Sequence, residues 1–240
     1  DIAYDYIRKR ILSGEYPSGT ALITDTLSAE IGVSRTPVRD ALRQLEADGL
    51  VSIKPHLGAC VKSLDYKDLR ELCELRLALE SHAAGLAARH RTAEDLHEIR
   101  FALEGMRRLT DQIIASKTDQ PLLNDLIRED IRFHVAIMAA AKNDLIKKEI
   151  LRLHLVHRIV SGNETVAGGD KPTRDIRRRA VMASHVAIFQ AIERQDAAAA
   201  RHEMDLHIQD IIDSSLLLKA QAQKSLDARE LTEEELKYIV

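Results

Sequence analysis

The sequence predicts a mainly α protein with one small β-hairpin near its N-terminus. Three observations predict it. Apolar residues recur at helical spacing through most of the 240 residues. Strand-like alternation is confined to Val51-Ser52-Ile53-Lys54 and Ala59-Cys60-Val61-Lys62, on either side of a Pro55-His56-Leu57-Gly58 turn. Ala and Leu dominate, aromatics make up 3% and Trp is absent, a composition that favours helix.

The elements follow in order. Ile2, Tyr6, Ile7 and Ile11 share one helical face, stopped by the turn-rich Ser13-Gly14-Glu15-Tyr16-Pro17-Ser18-Gly19. Thr24 or Asp25 can cap a short helix to Ile31, and Gly32 breaks it. Ser34 can cap the next helix, and Pro37 falls in its first turn, where a missing N–H costs little. Val38, Ala41, Leu42 and Leu45 then face inward. Arg35, Arg39 and Arg43 repeat every four residues as an outward basic stripe, and Gly49 ends the helix. Three helices followed by a two-stranded ribbon is the order of a winged helix-turn-helix, whose second short helix reads a DNA groove. The expected fold class is therefore an N-terminal winged helix-turn-helix with a small β-hairpin wing over residues 1–63, followed by an all-α helical bundle.

From Asp65, a helix cap, onward the pattern is helical, with expected helices at 65–90, 92–116, 120–141, 144–161, 173–195 and 197–223. Gly168-Gly169-Asp170-Lys171-Pro172 closes the longest loop. Residues 64–223 read as one all-helical domain. Residues 224–240 read as a polar tail in which Thr232-Glu233-Glu234-Glu235 caps a last short helix.

Bulk properties bound the function. At 45% apolar, the chain is long enough for two domains with a core each. A net charge of −3 excludes a general polyanion binder, and within residues 1–63 eight Lys/Arg meet eight Asp/Glu, so nucleic-acid contact must rest on the arginine stripe. Cys60 and Cys73 form no disulfide framework, and a reducing cytoplasm is the simpler reading. No apolar run is long enough for a membrane span and no signal peptide is present, so a cytoplasmic protein with no membrane partner is expected. The start at Asp1 rather than Met reads as a trimmed N-terminus.

One constellation stands out in the bundle. Asp130 and His134 lie one turn apart on a stripe with Ile127, Ile137 and Met138. His185 shares a stripe with Val181, Met182, Ile188 and Ile192, and His207 one with Ala200, Met204 and Ile208. Three imidazoles and a carboxylate pointing into one core must satisfy one another or a cation. Three nitrogens and one oxygen suit a divalent transition metal with a position left open, and a hydrogen-bonded core is the alternative. His154, His157 and Arg158 line the same pocket or form an interhelical face, and Arg177-Arg178-Arg179 is a solvated helix start or an anion grip.

Two groups of residues carry a resemblance. Gly14-x-x-Pro17-x-Gly19-x-x-Leu22, Val33-Ser34-Arg35-Thr36-Pro37-Val38-Arg39-x-Ala41-Leu42-x-x-Leu45, Gly49-Leu50-Val51 and Gly58-x-x-Val61 resemble the GntR family of bacterial transcription regulators. The resemblance implies DNA contacts from Arg35, Thr36, Arg39 and Arg43, and from the wing tip at His56 and Gly58. Asp130-x-x-Phe133-His134, His185-x-x-Ile188-x-x-Ala191-Ile192-x-x-x-Asp196 and Met204-x-x-His207-Ile208 resemble the all-helical effector domain of the FadR-like branch. That implies Asp130, His134, His185 and His207 as ligands of a divalent metal, zinc first, with nickel, manganese or iron as alternatives. It also implies Arg76, in Arg76-x-x-Leu79-Glu80, as the partner of a small carboxylate effector, with a salt bridge to Glu80 four residues on as the alternative.

The reading that follows is a regulator, a repressor, that binds a pseudo-palindromic operator as a homodimer and senses a small organic acid at a metal-containing pocket. Two alternatives stay open. One is a metal-dependent hydrolase using the His and Asp set, against which stand the reading head and the lack of a Gly-rich phosphate loop, nucleophile elbow or HExxH. The other is a DNA-binding protein whose helical domain only dimerises.

Overall fold

The structure, a computed structural model, describes residues 2–54, 58–161 and 170–227, with side chains over 2–54, 58–154 and 170–214. His56, the Gly168-Gly169 end of the long loop, the side chains of His157 and Arg158, and the Thr232 capping box lie outside the described residues.

The first unit runs α1 (Ile2–Ser13), β1 (Ala21–Leu22), α2 (Thr24–Ile31), α3 (Arg35–Ala47), β2 (Val51–Lys54) and β3 (Gly58–Val61). Ile7, Leu27, Val38, Leu42, Leu45, Leu50 and Val61 fill its core, each worth about 1.5–3 kcal/mol when fully buried. α2 and α3 are joined through Gly32 at φ +75°, where the Gly32 and Val33 amides both return to the Ser28 carbonyl. α3 ends in a Schellman motif: Gly49, at φ +80°, donates to Glu46 and Leu50 donates to Leu45. That turn aims the chain straight into β2, and the Glu46 carboxylate holds the Ile53 amide at 2.9 Å.

The wing differs from the expected ribbon. It has three antiparallel strands in the order β1-β3-β2, with Ala21 opposite Cys60 and Ser52 on the other side of Cys60. β1 is two residues long, too short for any alternation to show. The expected caps also differ. α2 starts at Thr24 with Ile23 at the cap position, and Ser34 precedes α3 without a side-chain cap bond.

The second unit contains α4 (Tyr66–His90), α5 (Ala93–Ala115), α6 (Leu122–Ala140), α7 (Asp144–Ser161), α8 (Lys171–Glu193) and α9 (Ala197–Asp227). α4 starts with a reciprocal capping box between Asp65 and Asp68, and α5 with one between Thr92 and Asp95. α8 starts two residues before the expected 173, because Asp170 caps it and Pro172 suits its first turn. It ends at Glu193 rather than 195, and α9 continues to Asp227, past the expected 223. Two basic side chains stop other helices: Lys171 Nζ donates to the Ile113 and Ile114 carbonyls of α5, and Arg91 donates to Ile192 and Glu193 of α8. The bundle core joins Leu69 and Ala84 of α4, Ile99 and Met106 of α5, Phe133 and Ile137 of α6, Ile150 of α7, Ile188 and Ile192 of α8 and Met204 of α9. No helix among the described residues is long and apolar enough to cross a membrane.

Candidate functional site

The outward face of α3 carries the arginine stripe. Thr36, Arg39 and Arg43 are exposed, as is Gly58, which pairs with Lys54 at the loop end of the wing. Arg35 is exposed too, but Asp25 of α2 holds it at 2.6 and 3.0 Å, which fixes its guanidinium at the edge of the stripe. The inward residues Val38, Leu42 and Leu45 seat the helix, so the stripe's direction follows from the core.

In the bundle, α6, α8 and α9 bring His134, His185 and His207 together, with one ligand atom of each within 4.8 Å of the others. All three are buried: 1%, 0% and 3% exposed. Asp130 sits at the edge of the cluster, its side chain 39% exposed, with Oδ1 3.1 Å from His185 Nε2. The His185 Nδ1 lies 2.8 Å from the Val181 carbonyl, which can only accept, so Nδ1 carries the hydrogen. In the neutral ring, Nε2 is then a lone pair facing a carboxylate oxygen. Two acceptors at that distance require a proton or a cation between them. His207 Nε2 is likewise buried and without a hydrogen-bond partner.

The electrostatics agree. Burial raises the Asp130 carboxyl, but His185, His134 and His207 outweigh it and hold it below the usual carboxylate range. Burial and the neighbouring His185 and His134 push His207 well below the usual imidazole value, so it is neutral at pH 7. A neutral imidazole is the form that binds metal.

A second group, from α4 and α7, backs the first. Glu80 is fully buried and touches three nitrogens: Arg76 Nε at 2.8 Å, His154 Nε2 at 3.1 Å and His134 Nδ1 at 3.0 Å. Burial would raise its carboxyl, but Arg76 and His154 hold it well below the ordinary value. His134 is pushed the opposite way to His207: burial lowers it, and Glu80 more than reverses that. Burial keeps His154 below its ordinary value and neutral. Arg76, 4% exposed, thus takes the Glu80 partner that its spacing offered.

Sequence reasoning missed Glu80 as a neighbour of His134. The available signal was a carboxylate among Leu79, Ala83 and Ala84 on an apolar stripe. The Arg177-Arg178-Arg179 run is not a uniform surface either. Arg178 is 6% exposed and pairs with Asp119 and Asp175, while Arg174 joins it on Asp119.

Residues 1–61 match the model of bacterial regulatory proteins of the gntR family, and residues 71–210 match that of the FCD domain. The chain is 31% identical over 206 residues to a probable D-xylose utilization operon transcriptional repressor of Paenarthrobacter nicotinovorans, covering 85% of this chain and 83% of the relative. It is 26% identical over 212 residues to the galactonate operon transcriptional repressor of Escherichia coli (strain K12), covering 80% and 86%. Its fold matches E. coli McbR/YncC with a TM-score of 0.69 at 21% identity, over 92% of this chain and 96% of that one. These families and relatives are transcription regulators rather than enzymes. With a winged helix matched over its first 61 residues and a helical domain matched over residues 71–210, the chain belongs to the GntR family of bacterial transcription regulators and carries an FCD domain.

Proposed function

We propose that this chain is a ligand-responsive repressor of the FadR-like branch. It binds a pseudo-palindromic operator as a homodimer and senses a small organic acid at a divalent metal in the helical domain. One observation carries the reading: His185 Nε2 meets the Asp130 carboxylate at 3.1 Å while the buried His207 Nε2 beside it has no partner. A proton shared by His185 and Asp130 would still leave His207 unsatisfied. A cation satisfies all of them at once, and three nitrogens with one oxygen suit zinc, nickel, manganese or iron.

Asp130, His134, His185 and His207 would hold the ion. When bound, it supplies a Lewis-acidic position for a carboxylate oxygen of the effector. Arg76 is the cation that would pair with the same acid, sharing or displacing Glu80. Residues 1–63 would be the DNA-binding domain and 64–223 the effector-binding and dimerisation domain, followed by a tail at 224–240. Arg35, Thr36, Arg39 and Arg43 would enter the major groove, with the wing at His56 and Gly58 against the backbone. The acid regulates only if it favours one arrangement of the two reading heads over the other. The similarity to a probable D-xylose utilization operon repressor and to a galactonate operon repressor supports a repressor.

The test is DNA binding by anisotropy on an operator selected from random duplexes, with a panel of organic acids. The expected result is a two-fold symmetric site and at least one acid that changes affinity by about tenfold or more in metal-loaded but not in chelator-treated protein. An acid response indifferent to chelation would reject the metal-centred sensing. Failure to select any sequence would reject the DNA-binding reading.

A further inference from the structure

The structure assigns Ser184 a positioning role: its hydroxyl sets the tautomer of His207. Ser184 Oγ lies 2.7 Å from the Val181 carbonyl and 2.8 Å from His207 Nδ1. A hydroxyl has one hydrogen. The carbonyl has none, so the short oxygen–oxygen contact is a hydrogen bond only if Ser184 donates to Val181. Its lone pair is then what His207 Nδ1 meets, and Nδ1 must carry the hydrogen. That leaves Nε2 as a lone pair, buried and without a hydrogen-bond partner.

The Val181 carbonyl also accepts from His185 Nδ1 at 2.8 Å. One backbone oxygen therefore orders two imidazoles on two helices, directly for His185 and through Ser184 for His207. The local sequence makes this possible. Ser184 and His185 follow Val181 by three and four residues, so both side chains return to the same carbonyl one helical turn back. Without the hydroxyl, His207 loses the group that decides between its two neutral forms. A ring protonated at Nε2 cannot be a ligand through that atom.

The first readout is independent of any metal. Long-range 1H–15N correlations of chelator-treated protein, with His207 assigned through His207→Ala, report the tautomer directly. The Nδ1–H form is expected in the wild type, and the Nε2–H form would overturn the assignment. The second readout rests on the metal reading proposed above and uses Zn2+ in competition with a chromophoric chelator. Ser184→Ala is expected to weaken Zn2+ binding about 10- to 100-fold, while Ser184→Thr, which keeps the hydroxyl, stays near wild type. Equal affinity in Ser184→Ala and wild type would overturn the role. If the wild type takes up no Zn2+, the metal reading fails, and the tautomer pattern alone decides for or against Ser184.

Discussion

The two halves of this molecule place their polar chemistry in opposite ways. In the winged helix, Arg39 and Arg43 stand exposed on a helix seated by Val38, Leu42 and Leu45. In the bundle, Glu80, His134, His185 and His207 are inside, among Phe133, Ile137, Ile188 and Met204. An exposed arginine is solvated in the free chain, so it costs the fold little. A buried imidazole lone pair beside a carboxylate is unfavourable until something satisfies it. On the function proposed above, the first unit meets a partner outside the chain and the second is completed by one inside it.

This contrast can be broken most strongly at the buried end. His207→Ala removes from the cluster a neutral ring whose Nε2 has no hydrogen-bond partner. With Zn2+ at a hundredfold excess over its dissociation constant, the variant should lose the stabilisation of about 2.7 kcal/mol that the ion provides. In chelator the gap between variant and wild type should narrow. A calorimetric melt with and without Zn2+ measures both, and an equal gap in the two conditions would make His207 an ordinary core residue.

The next effect comes from buried charge of a different kind. Asp119 joins the start of α6 to α8 through Arg174 and Arg178. Burial raises its carboxyl, but the two guanidiniums outweigh that and hold it below the usual value. A carboxyl depressed in the folded state adds stability above its unfolded value near 3.9 and loses it as pH falls through the folded value. Asp119→Asn should therefore cost about 2–3 kcal/mol at neutral pH, with the difference shrinking below about pH 4. Denaturant melts across that range would show it, and a difference independent of pH would mean the charge is irrelevant.

The smallest effect lies on the exposed face. Arg39→Ala should leave the melting temperature unchanged and weaken operator binding by about 1–3 kcal/mol if it reads a base edge. A phosphate contact would instead lower the salt dependence by about one unit. Unchanged binding at every salt concentration would remove α3 from the interface.

How much was legible in the sequence follows the same division. The arginine stripe and its inward counterpart were readable because a surface helix announces both faces at a period of 3.6. The bundle helices were readable for the same reason, and α7 matches its expected bounds of 144–161. Short-range signals were partly overlooked. Thr92-x-x-Asp95 is a capping box in plain sequence, and Asp170 two residues before Pro172 is a helix start that reads equally well as a loop.

What was not legible is contact between distant elements. Periodicity put His134, His185 and His207 on inward stripes, but not at what depth or against which neighbours. Glu80 reads locally as the helical partner of Arg76. Only the packing of α4 against α6 and α7 makes it a neighbour of His134 and His154 as well. β1 was invisible for a related reason: two residues become a strand only because β3 lies beside them.

In the proposed function, a metal ion completes the bundle. Elemental analysis of the purified chain, before and after chelation and Zn2+ reloading, tests it most directly, with His185→Ala as the control. About one divalent ion per chain is expected, lost on chelation, restored on reloading and absent from the variant. A wild-type chain that holds no ion under any loading condition would contradict it. His185 and Asp130 would then be a protonated ion pair, and the helical domain a sensor or dimerisation unit that works without metal.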